Sequence, residues 1–463
     1  MRKILLASLV LFTAPSLASE DLLPDANCKV SFENIPKPCF DGAISAGSSA
    51  NTQGFRNYST KQFYALNWPV EKLGGQSPNT KAVPSAFDIT VWQTWKTKSE
   101  LTYDKKPSIT AKTQASIKSL ILNTGSDLPN NFKQHIEYLS DTTIPDQEGI
   151  SLITSDNKNV YFQVYYNDVA VADLHSFSSN KDKFSTGSSS PQKRGAIVVK
   201  AAWRVITNLP KQKRDTYHSS IACVYNENSN CSIELVGLIG LHIANKMNPE
   251  KNSSEANCNT EKCLNKSISA WSWSTYEYMY NAPSLVSESD FIKAYQEEDW
   301  ALFNKPITDD KVKACFTEGK VALSNTECAI NEATTSVPAN IVRFFPADRS
   351  VPLENLNKET CSSNSLTELD YSSCLPILGY ASLKSQTPLI NYRFVENVWV
   401  DSLGNILPAY SAQTPVETII RNTSMEPFDR TLSIDNKNCI ACHREAQFDG
   451  IFTVPQVLKG ENK

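Results

Sequence analysis

Near its C-terminal end the chain reads Cys439-Ile440-Ala441-Cys442-His443. C-x-x-C-H is the attachment signature of a c-type haem. Two thiols add to the vinyl groups of a porphyrin, and the histidine directly behind them becomes an axial ligand of the iron. Three other uses of a cysteine pair fit less well. A structural zinc site takes four ligands, and no other cysteine or histidine occurs after Cys374. A thioredoxin-like redox pair follows a strand in a βαβ unit, whereas this pair stands about twenty residues from the end. A plain disulfide has no use for the adjacent histidine. The pattern predicts one covalently attached haem c, with Cys439 and Cys442 as its thioether positions and His443 as the proximal iron ligand.

This position constrains the fold. A small cytochrome c carries the motif near its start and wraps the haem with the chain downstream of it. Here about twenty residues follow His443, none of them Met or His. The haem is therefore expected to be walled by upstream sequence, without a separate small cytochrome c domain. Residues 1–18 read as a signal peptide, 19–410 as a mixed body, and 411–463 as a haem-attachment segment packed on that body.

The signal reading rests on basic Met1-Arg2-Lys3, apolar Ile4 to Ala14 and the small-x-small site Ser16-Leu17-Ala18. The apolar run is too short to span a bilayer with ease. The nearest later run, Cys231 to Ala244, contains Glu234 and His242. Export to the periplasm or outside the cell is expected, with cleavage near Ala18 and no transmembrane segment in the mature chain. Cysteine usage agrees. Of twelve cysteines, ten remain beside the haem pair, and they fall as sequence neighbours. Sequential pairing (Cys28–Cys39, Cys223–Cys231, Cys258–Cys263, Cys315–Cys328, Cys361–Cys374) is the simplest framework. Each short loop would contribute about 2–3 kcal/mol. A net charge of −4 gives no electrostatic case for nucleic acid or an anionic membrane.

Along the chain, residues 19–58 are rich in Gly, Asn and Ser and pinned by the Cys28–Cys39 candidate. Phe63 to Pro69 reads as a short helix ended by proline. Phe87 to Leu101, with Val91, Trp92 and Trp95 at helical spacing, predicts an amphipathic helix, and residues 129–139 another. Ile150–Thr154 and Val160–Tyr166 flank Asp156-Asn157 as a hairpin. Ala196–Ile206, Ser219–Tyr225, Ser232–Ala244 and the alternating Trp271–Tyr276 read as strands. Ser287–Phe303 returns to helical period, and short elements follow. The class is α+β with a β-rich middle, lacking the β–α–β rhythm of a doubly wound sheet.

The sixth iron ligand has few candidates. Met425, fourteen residues before Cys439, is the best placed; an extended connection of that length reaches about 45 Å. Its alternative is ordinary core packing. His242 lies in an apolar run and reads as a core residue rather than a ligand. Met279, among tyrosines, reads as core or pocket wall. Met247, His135, His175 and His218 complete the inventory. Trp92/Trp95 and Trp271/Trp273 are either haem-pocket lining or core.

Several segments together resemble exported, single-haem bacterial proteins described as "cytochrome c family protein". They are Phe63–Pro69, Trp92–Lys96, Lys200–Arg204, Leu241-His242-Ile243, Trp271–Glu277 through Asn281-Ala282-Pro283, Asn422–Glu426 and the haem motif. The resemblance covers most of the mature chain and implies a shared architecture, without a reaction to carry over. Recurrence of N-T-x-M-E ahead of the haem motif raises Met425 as a ligand. Members of the group often carry a histidine where this chain has Tyr278.

Two functions follow from a haem in this setting. A six-coordinate haem passes single electrons to a redox partner protein. An open sixth position would instead support a haem-dependent oxidoreductase, oxygenase or peroxidase-like, acting on a small molecule; the size of the body favours this, and the single C-x-x-C-H disfavours a two-haem peroxidase. A haem-bearing sensor has no specific support. No carboxylate pair or nucleophile–base triad stands out.

Overall fold

A computed structural model describes residues 49–70, 87–103, 111–124, 134–142, 150–178, 182–185, 195–225, 231–246, 271–303 (save 286 and 298), 313–317, 340–344, 351–382 (save 364), 387–400, 421–428 and 453–461. Isolated residues between these are also described, among them His443, Asp449 and Ile451. The fold is α+β. Its centre is a nine-stranded, curled sheet.

In chain order the elements are α1 (Ser49–Leu66), β1 (Lys96–Thr97), α2 (Lys98–Tyr103), α3 (Ala111–Thr124), β2 (Ile136–Leu139), β3 (Val160–Tyr166) and α4 (Asp168–Ser176). Then come β4 (Ile197–Val205), β5 (Ser219–Tyr225), β6 (Cys231–Lys246), β7 (Trp271–Tyr278), α5 (Glu288–Glu297), α6 (Glu368–Ser382), β8 (Tyr392–Val400), β9 (Ile406–Leu407) and α7 (Val454–Glu461). The main path is β1-β3-β4-β6-β7-β8-β9, all antiparallel, and β5 branches from β6 carrying β2 in parallel.

The sixteen-residue β6 is the hub. Its first half pairs with β5, from Tyr225↔Cys231 to Ser219↔Gly237. Its second half pairs with β7, from Gly240↔Glu277 to Lys246↔Trp271. A strand that changes partners along its length makes the sheet curl, because each pairing adds its own twist. Val, Ile and aromatic side chains favour this pleated, two-sided burial, and β3 and β7 are buried along their whole lengths.

One face of the sheet holds the larger core, in which Trp92 meets Tyr165 edge-on at 4.8 Å and Phe63 of α1 stacks on Tyr276 at 4.2 Å. A second cluster gathers Val164, Tyr166, Val198, Ala244, Trp271 and Trp273 with Ile451, Val454 and Val457 from the C-terminal end. The disulfides Cys223–Cys231 and Cys361–Cys374 are formed as expected, and Cys315 is also disulfide-bonded. Cys28, Cys39, Cys258, Cys263 and Cys328 lie outside the described residues, as does the signal segment. Among the described residues no helix is long and apolar enough to cross a membrane.

The four expected strands of the middle are β4 to β7, and Asn157, at φ 61°, turns the chain at Asp156-Asn157, where Ile153 and Asn159 make an isolated bridge; the expected strand Ile150–Thr154 does not form, and β3 pairs with β1 and β4 instead. Four other local expectations are corrected. Phe87–Leu101 is not one helix but a 3-10 turn (Trp92–Thr94), β1 and α2. The Gln93 side-chain oxygen accepts from the Thr90 backbone N at 3.0 Å, and β1 is drawn out to pair with β3. Helix α2 then starts on a reciprocal capping box: the Glu100 carboxylate accepts from Thr97 N at 2.9 Å, and Glu100 N donates to Thr97 Oγ1 at 3.2 Å. Within 129–139, Ile136–Leu139 is strand β2, because parallel pairing with β5 outweighs local propensity. Helix α1 begins at Ser49, well before the short helix expected from Phe63, and helix α5 stops at Glu297, short of Phe303.

Candidate functional site

Cross-strand partners share a face of a sheet. Lys200, His242 and Thr275 form one such row across β4, β6 and β7; Val198, Ala244 and Trp273 form the next; Lys246 and Trp271 follow. The C-terminal segment lies against this face at separate points. Asp449 makes a buried ion pair with Lys246 at 2.7 Å, accepts from Phe184 N at 3.0 Å, and its own carbonyl accepts from Trp271 Nε1 at 2.8 Å. Lys246 Nζ also lies over the Trp271 ring at 5.0 Å. Burial pulls the Lys246 ammonium down and pushes the Asp449 carboxyl up, each opposed by the charge of the other. Tyr166 and Thr453 share a short hydroxyl–hydroxyl bond, and α7 follows.

His443, the motif histidine, comes to rest on this same face. Its ring stands 5.6 Å from that of Trp273, tilted by 41°. Cys439 and Cys442 lie outside the described residues. His242 sits diagonally from Trp273, a separation of about 7–8 Å in a regular sheet and somewhat less between Cβ atoms. The imidazole is held neutral, its pKa lowered to about 3 by burial first, then by Lys200 and by His443. His242 and His443 are thus electrostatic neighbours. The side chain is 16% exposed, and its Nε2 is buried without a hydrogen-bond partner among the described residues. Glu426 Oε1 stands 3.6 Å from it, beyond hydrogen-bonding distance.

Glu426 is placed by a tight turn over 422–426. Met425 N and Glu426 N both donate to Asn422 O at 3.0 Å, and the Asn422 side-chain oxygen accepts from Ser424 N and Oγ. Asn422 N donates back to Glu426 Oε2 at 3.0 Å. The turn is tied to the sheet by Asn422 Nδ2 donating to Thr275 Oγ1 and Tyr276 O, and by Thr423 N and Oγ1 donating to Glu277 Oε2. Glu277 is fully buried, bonded also to Arg343, which reaches Glu354 at 2.8 Å. Gly240 is what allows the turn to come this close. A Cβ there would stand 2.0 Å from Ser424 Oγ.

The other candidates are placed elsewhere. Met425 is fully buried in the larger core cluster, whereas the ring beside His443 belongs to the second. Met279 Sδ accepts from Arg393 Nη2 at 3.1 Å. His218 is buried, its Nε2 3.1 Å from Gln93 Oε1, and burial followed by the nearby His135 lowers its pKa to about 4. His135 meets Glu137 at 2.8 Å. His175 is exposed at the end of α4, and Met247 lies outside the described residues. Trp92 is core, its Nε1 donating to Asn67 Oδ1 at 2.9 Å.

Sequence reasoning read His242 as core and did not single out Glu426, Lys246 or Asp449. Parity held the missing signal: Gly240, His242, Ala244 and Lys246 occupy alternate positions in an otherwise apolar strand, marking a face of different character. No protein-family model, no curated protein and no solved structure matches the chain.

Proposed function

We propose that this chain is an exported, single-haem c-type cytochrome that transfers one electron at a time to a periplasmic or extracellular redox partner. The observation that carries the reading is the pentapeptide Cys439-Ile440-Ala441-Cys442-His443. Cys439 and Cys442 would hold the porphyrin by thioethers, and His443 would ligate its iron. The donor set suits such a group. His443 lies beside the broad ring of Trp273, and the buried Nε2 of His242 on the same face has no hydrogen-bond partner among the described residues. A buried, unpartnered polar atom is costly in an apolar wall, and becomes less so when a ligand shares the space.

When bound, the haem supplies a one-electron Fe(III)/Fe(II) couple. The chain's own contribution is to hold it in a dry setting. The second core cluster walls the face with Trp271, Trp273, Val198 and Ile451, and the Lys246–Asp449 pair clamps the segment that follows the motif. The apolar side chains of that wall and a fixed ligand set would limit reorganisation when the charge changes. The signal-like N-terminus, the paired cysteines and the resemblance to exported single-haem proteins support the same compartment. Redox titration of protein matured in cells with a haem-ligation system tests the function. A single reversible one-electron wave, with no reaction of the reduced iron with carbon monoxide, is expected; prompt carbon monoxide binding to high-spin ferrous iron would count against electron transfer and for the oxidoreductase.

A further inference from the structure

We infer that His242 is the second axial ligand of the haem and that Glu426 is its orienting carboxylate, an assignment that rests on the haem reading above. His443 lies against Trp273, and His242 stands on the same sheet face, one cross-strand row away. A ligand for the opposite side of a flat macrocycle must come from the surface that His443 faces, and β6 and β7 form that surface.

Elimination leads to the same residue. Among the described histidines and methionines, His218 stands against Trp203 of the larger cluster with His135 as its neighbour, His175 is exposed at the end of α4, and Met279 accepts from Arg393. Met425 is sealed within the larger cluster. His242 Nε2 is buried with no hydrogen bond among the described residues. The ring also has the companion that metal-bound imidazoles require. One nitrogen binds the metal while the other donates to a carboxylate or carbonyl, which fixes the ring's orientation and raises its basicity. Glu426 Oε1 stands 3.6 Å from Nε2, close enough for a small ring rotation to make that bond. As placed, Nε2 faces Glu426 and leaves Nδ1 for the iron; a half-turn about Cβ–Cγ exchanges the Cδ2–Nε2 edge with the Nδ1–Cε1 edge, which turns Nδ1 to the side of Glu426 and frees Nε2 for the iron. The carboxylate is itself fixed by Asn422 N, within a turn that Glu277 anchors. Turn, carboxylate and imidazole thus form one braced unit on the face that carries His443.

A His/His pair lacks the thioether that raises the potential of Met/His cytochromes, so the partner would be a low-potential donor or acceptor. The test uses ferric and ferrous holoprotein, with peptide mass analysis confirming the adduct in each sample. Wild type is expected to be low-spin with bis-imidazole paramagnetic resonance. His242→Ala is expected to keep its haem, turn high-spin, bind carbon monoxide when reduced, and regain the low-spin state in added imidazole. A high-spin wild type, a low-spin His242→Ala spectrum identical to wild type, or a methionine-to-iron charge-transfer band lost in Met425→Ala would each overturn the assignment while leaving the haem reading intact. Absence of the adduct from wild type would overturn both. Should His242→Ala fail to accumulate, the wild-type resonance alone decides between two imidazoles and a methionine.

Discussion

At the scale of residues, two histidines with lowered pKa values have opposite meanings. His218 is a structural imidazole. Its Nε2 faces a carbonyl oxygen that also accepts from Thr90, so the neutral form with hydrogen on Nε2 fits, and its pKa of about 4 lies below the ordinary 6.5. The unfolded chain therefore binds a proton that the folded chain refuses. Stability is unaffected above pH 6.5 and falls as pH drops from 6.5 towards 4, by at most about 1.4 kcal/mol per pH unit. His218→Gln is expected to flatten that limb of a denaturant-midpoint profile relative to wild type; an unchanged slope would contradict it. His242 is the other case, an imidazole with a carboxylate behind it. If His242 binds the iron as inferred, removing the charge in Glu426→Gln lowers its basicity, so the reduction potential is expected to rise while the spectrum stays low-spin. An unaltered potential would remove Glu426 from the role.

At the scale of elements, the turn over 422–426 and the end of the chain are each joined to the sheet by one dependency. Gly240→Ala would drive a methyl into Ser424 and Asn422, within 2.0 and 2.9 Å. The variant is expected to lose about 1–3 kcal/mol, as overpacked sites do. Ser424→Gly in the same chain should return part of it, a coupling visible in a double-mutant cycle. Lys246→Met leaves Asp449 buried without its cation, and breaking a buried pair typically costs about 3–5 kcal/mol. Faster hydrogen exchange of α7 than of β4 is the expected signature; equal protection would show that the pair does not hold the segment. The strands of the middle were legible because Val, Ile and aromatic runs with polar punctuation read the same in isolation as in the sheet. Trp92 and Trp95 misled because their helical spacing arises from a tight turn that buries both rings, and the Thr97–Glu100 capping box just beyond was the overlooked boundary. Strand β2 was illegible for another reason, since its partner lies some eighty residues downstream. Helix α6 and strand β8 fell where Pro- and Cys-bearing stretches suggested only short elements.

At the scale of the whole molecule, a motif near one end and a sheet built from the middle make a single arrangement. The motif was legible as a pattern, because five residues make it without reference to the fold. Its surroundings were not, because His242, Trp273 and Glu426 are separated by 31 to 184 positions in the chain (242 to 273, 242 to 426) and meet only through strand pairing and a tight turn. On the proposed haem reading, the role of the large body would be to bring β6, β7 and the 422–426 turn to the face on which His443 lies. Everything proposed rests on a porphyrin being bonded at that end. Peptide mass mapping of the protein purified from cells with a working haem-ligation system tests this most directly. One haem on the peptide spanning Cys439 to His443, resistant to acid–acetone extraction, is the predicted result; the same peptide recovered with two unmodified cysteines, or with a disulfide between them, would contradict it.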